Sequence, residues 1–132
     1  MTFKNLMIAE TLVSIGFGLV YLFYPQMLID DYLVDKTPLN STGFTIALHY
    51  GTLMVSVGVA AWFSRNAQPS VGRRAILIIT CLSCILVCLI SFYLLSKGIE
   101  TSAIIWTVII PLAIMGGWAG WLLSKEAGLD LK

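Results

Sequence analysis

Residues 3–24, FKNLMIAETLVSIGFGLVYLFY, decide the fold of this chain. Apolar side chains occupy nearly every side of a helix with this sequence, which makes it too hydrophobic for a soluble helix with one wet face. At 1.5 Å per residue the segment is roughly 33 Å long, and the hydrocarbon core of a bilayer is about 30 Å thick. The segment is therefore predicted to span a membrane.

The composition of the whole chain also indicates a membrane protein. Of its 132 residues, 58% are hydrophobic and 11% are charged, and the mean hydropathy is +0.91. The net charge of +1, with no basic cluster larger than Arg73 and Arg74, argues against a nucleic-acid partner. The first segment is too long for the hydrophobic region of a signal peptide and no Ala-x-Ala-like site follows it, so we expect it to remain in the mature protein.

Four hydrophobic segments follow from the positions of the charged residues, and each is long enough to cross a bilayer once. The predicted helices cover residues 3–24, 43–64, 75–96 and 101–124. The predicted fold class is therefore all-α, an integral membrane four-helix bundle in which residues 1–132 form a single domain in contact with the lipid bilayer.

The connection between the first two helices should be a short surface helix or a loop. Pro25 ends the first helix, because proline has no N–H to donate and disfavours helix in the preceding residue. In the stretch PQMLIDDYLV that begins there, Met27 and Leu28 fall on the side away from Asp30 and Asp31. That pattern is typical of a helix lying on a membrane surface, and a disordered loop is the alternative.

The basic residues predict the orientation in the membrane. If the N-terminus is cytoplasmic, six cations lie on the inner side and two on the outer side, as the positive-inside rule requires. The inner set is Lys4, Arg65, Arg73, Arg74, Lys125 and Lys132, and the outer set is Lys36 and Lys97. Both termini are therefore predicted to be cytoplasmic.

Glu10 is the only carboxylate inside a hydrophobic segment. It shares one helix face with Ser14, Gly18 and Tyr21, at spacings of four, four and three. An ionised carboxylate about 9 Å inside a bilayer costs on the order of 3 kcal/mol or more, so the group should be neutral, paired or hydrated. Glu10 is thus either a protonated structural group bonded to a neighbouring helix or a site for a proton, an ion or a ligand.

The other three helices each carry a stripe of small or polar residues, which is how membrane helices pack against one another. The stripes are His49, Thr52, Ser56 and Ala60; Cys81, Cys84, Cys88 and Ser91; and Gly116, Gly120 and Ser124, with Ala113 and Gly117 offset by one. We therefore expect one bundle, with the fourth helix also available for a contact between protomers.

Pro111 lies inside the fourth segment. Its ring removes the helical hydrogen bond to the carbonyl of Thr107, which predicts a kink. Proline is common in membrane helices, so the kink by itself predicts no function.

The sequence predicts no catalytic residue and no metal site, and it leaves the cofactor unknown. A metal or bis-histidine haem site needs several ligands at one level, and His49 is the only histidine. A haem shared between copies is the alternative to a histidine bonded to a neighbouring helix. Cys81 and Cys84 form a C-x-x-C pattern, but within a membrane helix such cysteines are better explained as small packing residues than as a redox pair.

Two stretches resemble the DoxX-like group of small bacterial four-helix membrane proteins. GFGLVYLFYPQMLIDDYL ends a helix with proline and a short surface segment, and GTLMVSVGVAAWFSRN is a small-residue helix that closes with tryptophan and a base. The resemblance covers about half of the chain. It implies a bundle in a bacterial cytoplasmic (inner) membrane that serves as a small subunit or partner in a redox or stress-response system. In that group an arginine often lies early in the second helix, where His49 is the nearest polar residue here.

Three functions stay open at this point. The first is a non-enzymatic accessory subunit or self-associating bundle, in a homo-oligomer or a larger membrane complex. The second is a binder of a lipophilic molecule such as a quinone or a lipid. The third is a small proton-coupled transporter with Glu10 as its coupling carboxylate, as in the four-helix multidrug transporters, whose motifs around that glutamate are missing here. The candidate ligand or proton contacts are Glu10, Ser14, Tyr21, His49, Thr52 and Ser56.

Overall fold

The computed structural model describes residues 2–127, and this part of the chain is all-helical. The helices are α1 (Phe3–Phe23), α2 (Pro25–Tyr32), α3 (Ser41–Ser64), α4 (Val71–Ser96) and α5 (Ile110–Glu126), with a π-helical turn, Ile105–Ile109, directly before α5. By length and composition, α1, α3, α4 and the π-helical turn with α5 are able to cross a membrane. The predicted all-helical class is confirmed, and so is the number of helices that are long and apolar enough to span a membrane; Lys132 lies outside the described residues.

Side-chain caps set where three of the helices begin. Thr2, Asn40 and Ser70 each accept a hydrogen bond from the backbone N–H three residues further on. Ser70 thereby starts α4 at Val71, four residues before the predicted start at position 75. Hydropathy marks where the chain becomes apolar, whereas the cap marks where the backbone hydrogen bonds of the helix begin.

The fourth spanning segment begins later than predicted. Thr101, its expected first residue, instead donates its backbone N–H to the carbonyl of Tyr32 at 2.7 Å, which ties this loop to the end of α2. The kink predicted at Pro111 has its counterpart in the π-helical turn just before it, where the N–H of Ile110 bonds to the carbonyl of Ile105. A wider turn accommodates the chain next to a residue that cannot donate a hydrogen bond.

Helices α1 and α3 form an antiparallel pair whose backbones approach closely. A Cβ atom at Gly18 would lie 2.8 Å from Val55 Cγ2 and 3.0 Å from the carbonyl oxygen of Gly51. The Thr11 hydroxyl donates to the carbonyl of Gly58 at 3.1 Å, which adds a hydrogen bond between the two helices. Small residues allow this approach, as is usual in membrane helix pairs.

Helices α4 and α5 form a second antiparallel pair, and α1 joins the two pairs by packing on α5. A Cβ atom at Gly116 would lie 2.9 Å from Cys84 Cβ, and one at Gly120 would lie 3.7 Å from Cys81 Sγ. The buried core lies mainly where α1 and α4 begin and α5 ends. It comprises Phe3, Leu6, Met7, Ala61, Leu77, Cys84, Met115, Ala119 and Leu122.

An ion pair joins α4 and α5 at this end. Arg73 Nη2 lies 2.6 Å from Glu126 Oε1, and the two side chains are only 16% and 6% exposed. The guanidinium of Arg73 also lies 4.3 Å from the centroid of the Phe3 ring, while Arg74 donates to the backbone carbonyl of Glu126. These contacts connect the start of α1, the start of α4 and the end of α5.

The prediction that the polar stripe of the second spanning helix packs within the bundle is wrong. The four predicted residues, His49, Thr52, Ser56 and Ala60, are all exposed, as is Thr45 one turn before them, and we call the five together the outward stripe of α3. The buried face of α3 instead carries Ala47, Gly51, Gly58 and Ala61. Glycine and alanine allow closer packing than histidine, threonine or serine, so they occupy the contact with α1.

Gly117, also among the predicted packing residues, does not face another helix of the described chain, so its role in packing, a contact between protomers included, stays a prediction. It is exposed, and a Cβ atom built on it would meet nothing within 4 Å in the described chain. The row through Gly116 and Gly120 faces α4, and Gly117 is turned away from it by one residue.

Candidate functional site

The carboxyl group of Glu10 lies partly buried at the interface between the two helix pairs. Ser14, one turn further along α1, donates its hydroxyl to Glu10 Oε1 at 3.3 Å. Ser14 is only 3% exposed, so this hydrogen bond lies inside the bundle. Glu10 Oε2 is buried and has no hydrogen-bond partner among residues 2–127. One oxygen of the carboxyl group is therefore bonded and the other is left without a partner.

Helix α4 contributes Cys84 to the surroundings of Glu10. Cys84 is 5% exposed, and its thiol lies within electrostatic range of the Glu10 carboxyl. The close packing of Cys84 on Gly116 fixes its position between α4 and α5. Glu10, Cys84 and Gly116 belong to three different helices, so residue spacing along α1 could not predict that they lie close together.

This arrangement, which we call the Glu10 site, consists of Glu10, Ser14 and Cys84. Of the three, only Cys84 belongs to the buried apolar core, and Ser14 is buried on α1. An unpartnered carboxyl oxygen in such surroundings can accept a hydrogen bond from a hydroxyl group or, when protonated, donate one to a carbonyl group. Burying a carboxyl oxygen without a hydrogen-bond partner costs free energy, so the binding of a molecule that supplies a partner is favoured.

Tyr21 is on α1 like Glu10, but it lies near the opposite end of the bundle. Its ring packs edge-on against Tyr50, with ring centroids 4.9 Å apart. Glu100, which the sequence did not single out, lies within electrostatic range of Tyr21. Burial raises the pKa of the Glu100 carboxyl, and its Oε2 has no partner in the described chain. Glu100 falls in a loop between segments, so its sequence context gave no sign of burial.

The candidate residues of α3 form hydrogen bonds within their own helix. His49 Nδ1 lies 2.8 Å from the carbonyl oxygen of Thr45. A carbonyl oxygen only accepts, so Nδ1 is the donor, and Nε2 is the ring nitrogen that this hydrogen bond does not use. Thr52 donates to the carbonyl of His49 at 2.7 Å, and Ser56 donates to that of Thr52 at 2.8 Å. All of these side chains are exposed, on the side of α3 turned away from its packed face.

His49 and the Glu10 site lie at different depths. Since Gly18 faces Gly51 across the antiparallel pair, His49 is level with about residue 20 of α1. Ten residues of helix separate that level from Glu10, or about 15 Å. The predicted ligand contacts therefore divide into three places: Glu10 with Ser14, Tyr21 with Tyr50, and the outward stripe of α3.

The three cysteines are free thiols in α4. Cys84 is buried, Cys81 faces Gly120, and the Cys88 thiol lies 3.6 Å from the carbonyl of Ile109. Within residues 2–127, no group of three or more histidine, cysteine, aspartate or glutamate side chains is placed to hold a metal ion.

Comparison of the chain with protein-family models, with curated proteins and with solved structures gives no match.

Proposed function

We propose that this protein is a non-enzymatic membrane subunit that associates laterally with another membrane helix through the outward stripe of α3. The observation that carries the proposal is that His49, Thr52 and Ser56 are exposed on a helix apolar enough to cross a membrane. A soluble protein could solvate such a stripe with water, but acyl chains offer no hydrogen-bond partner. A facing protein helix supplies the partners that lipid lacks.

Hydrogen bonding within α3 already satisfies the hydroxyl protons of the stripe, which leaves His49 Nε2 as its main unmatched group. Interhelical hydrogen bonds of this kind contribute about 0.6–2 kcal/mol each in membranes. Ala60 and Ser56 are small enough for a second helix to approach closely. One histidine with small neighbours is therefore suited to a specific contact of moderate strength, such as that of an accessory subunit or of two copies of this chain.

The same proposal includes the setting suggested by the resemblance to the DoxX-like group. It places the protein in a bacterial cytoplasmic membrane with both termini on the cytoplasmic side, where it accompanies a redox or stress-response system. Six of the eight basic residues on one side support this orientation. The short loops over residues 65–70 and 97–104 support a role inside the bilayer.

We expect the double variant His49→Leu/Ser56→Leu to weaken lateral association about tenfold. The substitutions remove the polar contact and add bulk where a partner helix would approach. Sedimentation in mild detergent and counting of fluorescent copies in nanodiscs measure self-association, and co-purification from native membranes measures association with another protein.

Ser83→Leu is the matched control for that experiment. Ser83 is an exposed serine of α4 and, like Ser56, it donates to a carbonyl of its own helix, that of Thr80, at 3.1 Å. The control should associate like the wild type. A wild-type protein that is monomeric and retains no partner would refute the proposal, and so would equal association of all three proteins.

The unpartnered Glu10 Oε2 favours a second function, the binding of a lipophilic molecule that carries a hydroxyl or carbonyl group. A quinone or a lipid has such a group next to an apolar body. The Glu10 site offers a hydrogen-bonding atom inside an apolar interface, which suits that kind of molecule.

Glu10→Leu should lower the retention of such a molecule about tenfold, because leucine can neither accept nor donate a hydrogen bond. Mass spectrometry of molecules that co-purify from native membranes measures retention. His49→Ala is the control, since His49 lies about 15 Å away in depth and should leave retention unchanged. If neither variant, or only His49→Ala, changes retention, the Glu10 site does not bind the molecule.

A further inference from the structure

A basic pocket of about 480 Å³ lies at the end of the bundle where α1 and α4 begin. Its polar lining residues are Thr2, Lys4, Arg65, Asn66, Gln68 and Arg73. Three of these are cations, and within residues 2–127 no carboxylate is among the lining residues. The pocket thus collects positive charge from two helix starts and from the loop that connects α3 to α4.

Hydrogen bonds and packing fix two of these cations in place. Arg73 is held by Glu126, by the carbonyl of Ala67 at 3.0 Å and by the Phe3 ring. Arg65 stacks on Trp62, with its guanidinium carbon 3.8 Å from the ring centroid. Their charges are therefore positioned before any ligand arrives, which reduces the entropy lost on binding.

The charge in the pocket is opposite to what the helix dipoles favour. The N-terminal end of a helix carries partial positive charge and is stabilised by anions. The first turns of α1 and α4 contain no acidic residue, and they hold Lys4 in α1 and Arg73 with Arg74 in α4. Glu126 compensates one of these cations. The remaining positive charge, added to two helix N-termini, favours the binding of an anion.

The position of the pocket indicates which kind of anion it is suited to bind. It lies at the ends of helices long and apolar enough to cross a membrane, which is the level of lipid headgroups. Lysine, arginine and side-chain amides are the usual donors to phosphate oxygens. We propose that the basic pocket binds a phosphate group, carried by an anionic phospholipid headgroup or present as the free ion. This binding is independent of the outward stripe of α3.

The test compares two double variants of the full-length protein that remove the same charge. Lys4→Gln/Arg65→Gln removes two cations from the pocket and leaves the pair of Arg73 with Glu126 intact. Lys36→Gln/Lys97→Gln removes two cations that do not line the pocket. Phosphatidylglycerol is titrated into each delipidated protein in neutral detergent, and native mass spectrometry counts the bound lipid. The pocket variant should bind about 30-fold more weakly than the wild type, and the control within about twofold of it.

Inorganic phosphate alone, followed by ³¹P NMR, forms the second arm of the test. If phosphate does not displace the bound lipid, the pocket recognises the phosphate of the lipid headgroup. If millimolar phosphate displaces the lipid, the pocket also accepts the free ion. Equal binding by the wild type and both double variants, or no binding of either probe, would overturn the proposal. The single variant Lys4→Gln keeps the test decisive if the double variant fails to fold, because Lys4 is exposed.

Discussion

Replacing Gly18 by alanine is expected to destabilise the protein by about 3 kcal/mol, since the added methyl group meets backbone atoms of α3. A Cβ atom there would lie 2.9 Å from Val55 N and 3.0 Å from the carbonyl oxygen of Gly51. A backbone cannot move aside as the end of a flexible side chain can, so α1 and α3 must separate. The Thr11 hydrogen bond to Gly58 should weaken with them.

Gly16→Ala is the matched control on the same helix. Gly16 is exposed and a Cβ atom there meets nothing within 4 Å in the described chain, so alanine should stabilise α1 by about 0.5–1 kcal/mol. The two variants make the same chemical change two residues apart and are expected to shift stability in opposite directions. Reversible unfolding in mixed micelles, followed by circular dichroism, measures both. Equal effects of the two substitutions would contradict the observed packing of α1 on α3.

The second large effect is expected from Glu126→Gln, which should destabilise the protein by about 3 kcal/mol. The substitution leaves the charge of Arg73 without its counter-ion, although the Arg73 side chain is only 16% exposed. The hydrogen bond from Arg74 goes to the backbone carbonyl of Glu126 and is unaffected by the change. The loss therefore reports on the ion pair itself.

A double-mutant cycle with Arg73→Gln separates the pair from the surrounding packing. If the two charges stabilise each other, the double variant should be less destabilised than the sum of the single variants, by about 1–3 kcal/mol. Lys125→Gln, next to Glu126 but exposed, should change stability by less than about 0.5 kcal/mol. Additive effects of Arg73→Gln and Glu126→Gln would show that the pair contributes no coupling.

The four spanning segments could be predicted from the sequence because hydropathy and charge are properties of single residues. The pattern of Glu10 and Ser14 was also readable, since residues four apart share a helix face. Cys84 follows Glu10 by 74 residues and lies on another helix, so no spacing rule connects it with α1. The pairing of Arg73 with Glu126 was hidden in the same way.

The error on α3 has a physical origin. Polar side chains of a membrane helix are expected to face other helices, because hydrogen bonding in a membrane favours that arrangement. The structure instead places Gly51 and Gly58 against α1 and leaves His49 and Ser56 outside. Close backbone contact decided the face, and the hydroxyl groups found their partners in the backbone of their own helix. Shape therefore determined this interface more strongly than polarity.

The order of the helix pairs along the chain has a consequence for biosynthesis. The partners α1 and α3 are both complete by Ser64, before α4 has begun, and α4 with the π-helical turn and α5 follows as a second unit. Chains emerge from the ribosome with the N-terminal part first. The first hairpin can thus be assembled during translation while the second is still being made, and the pair of Arg73 with Glu126 can close only after α5 has emerged.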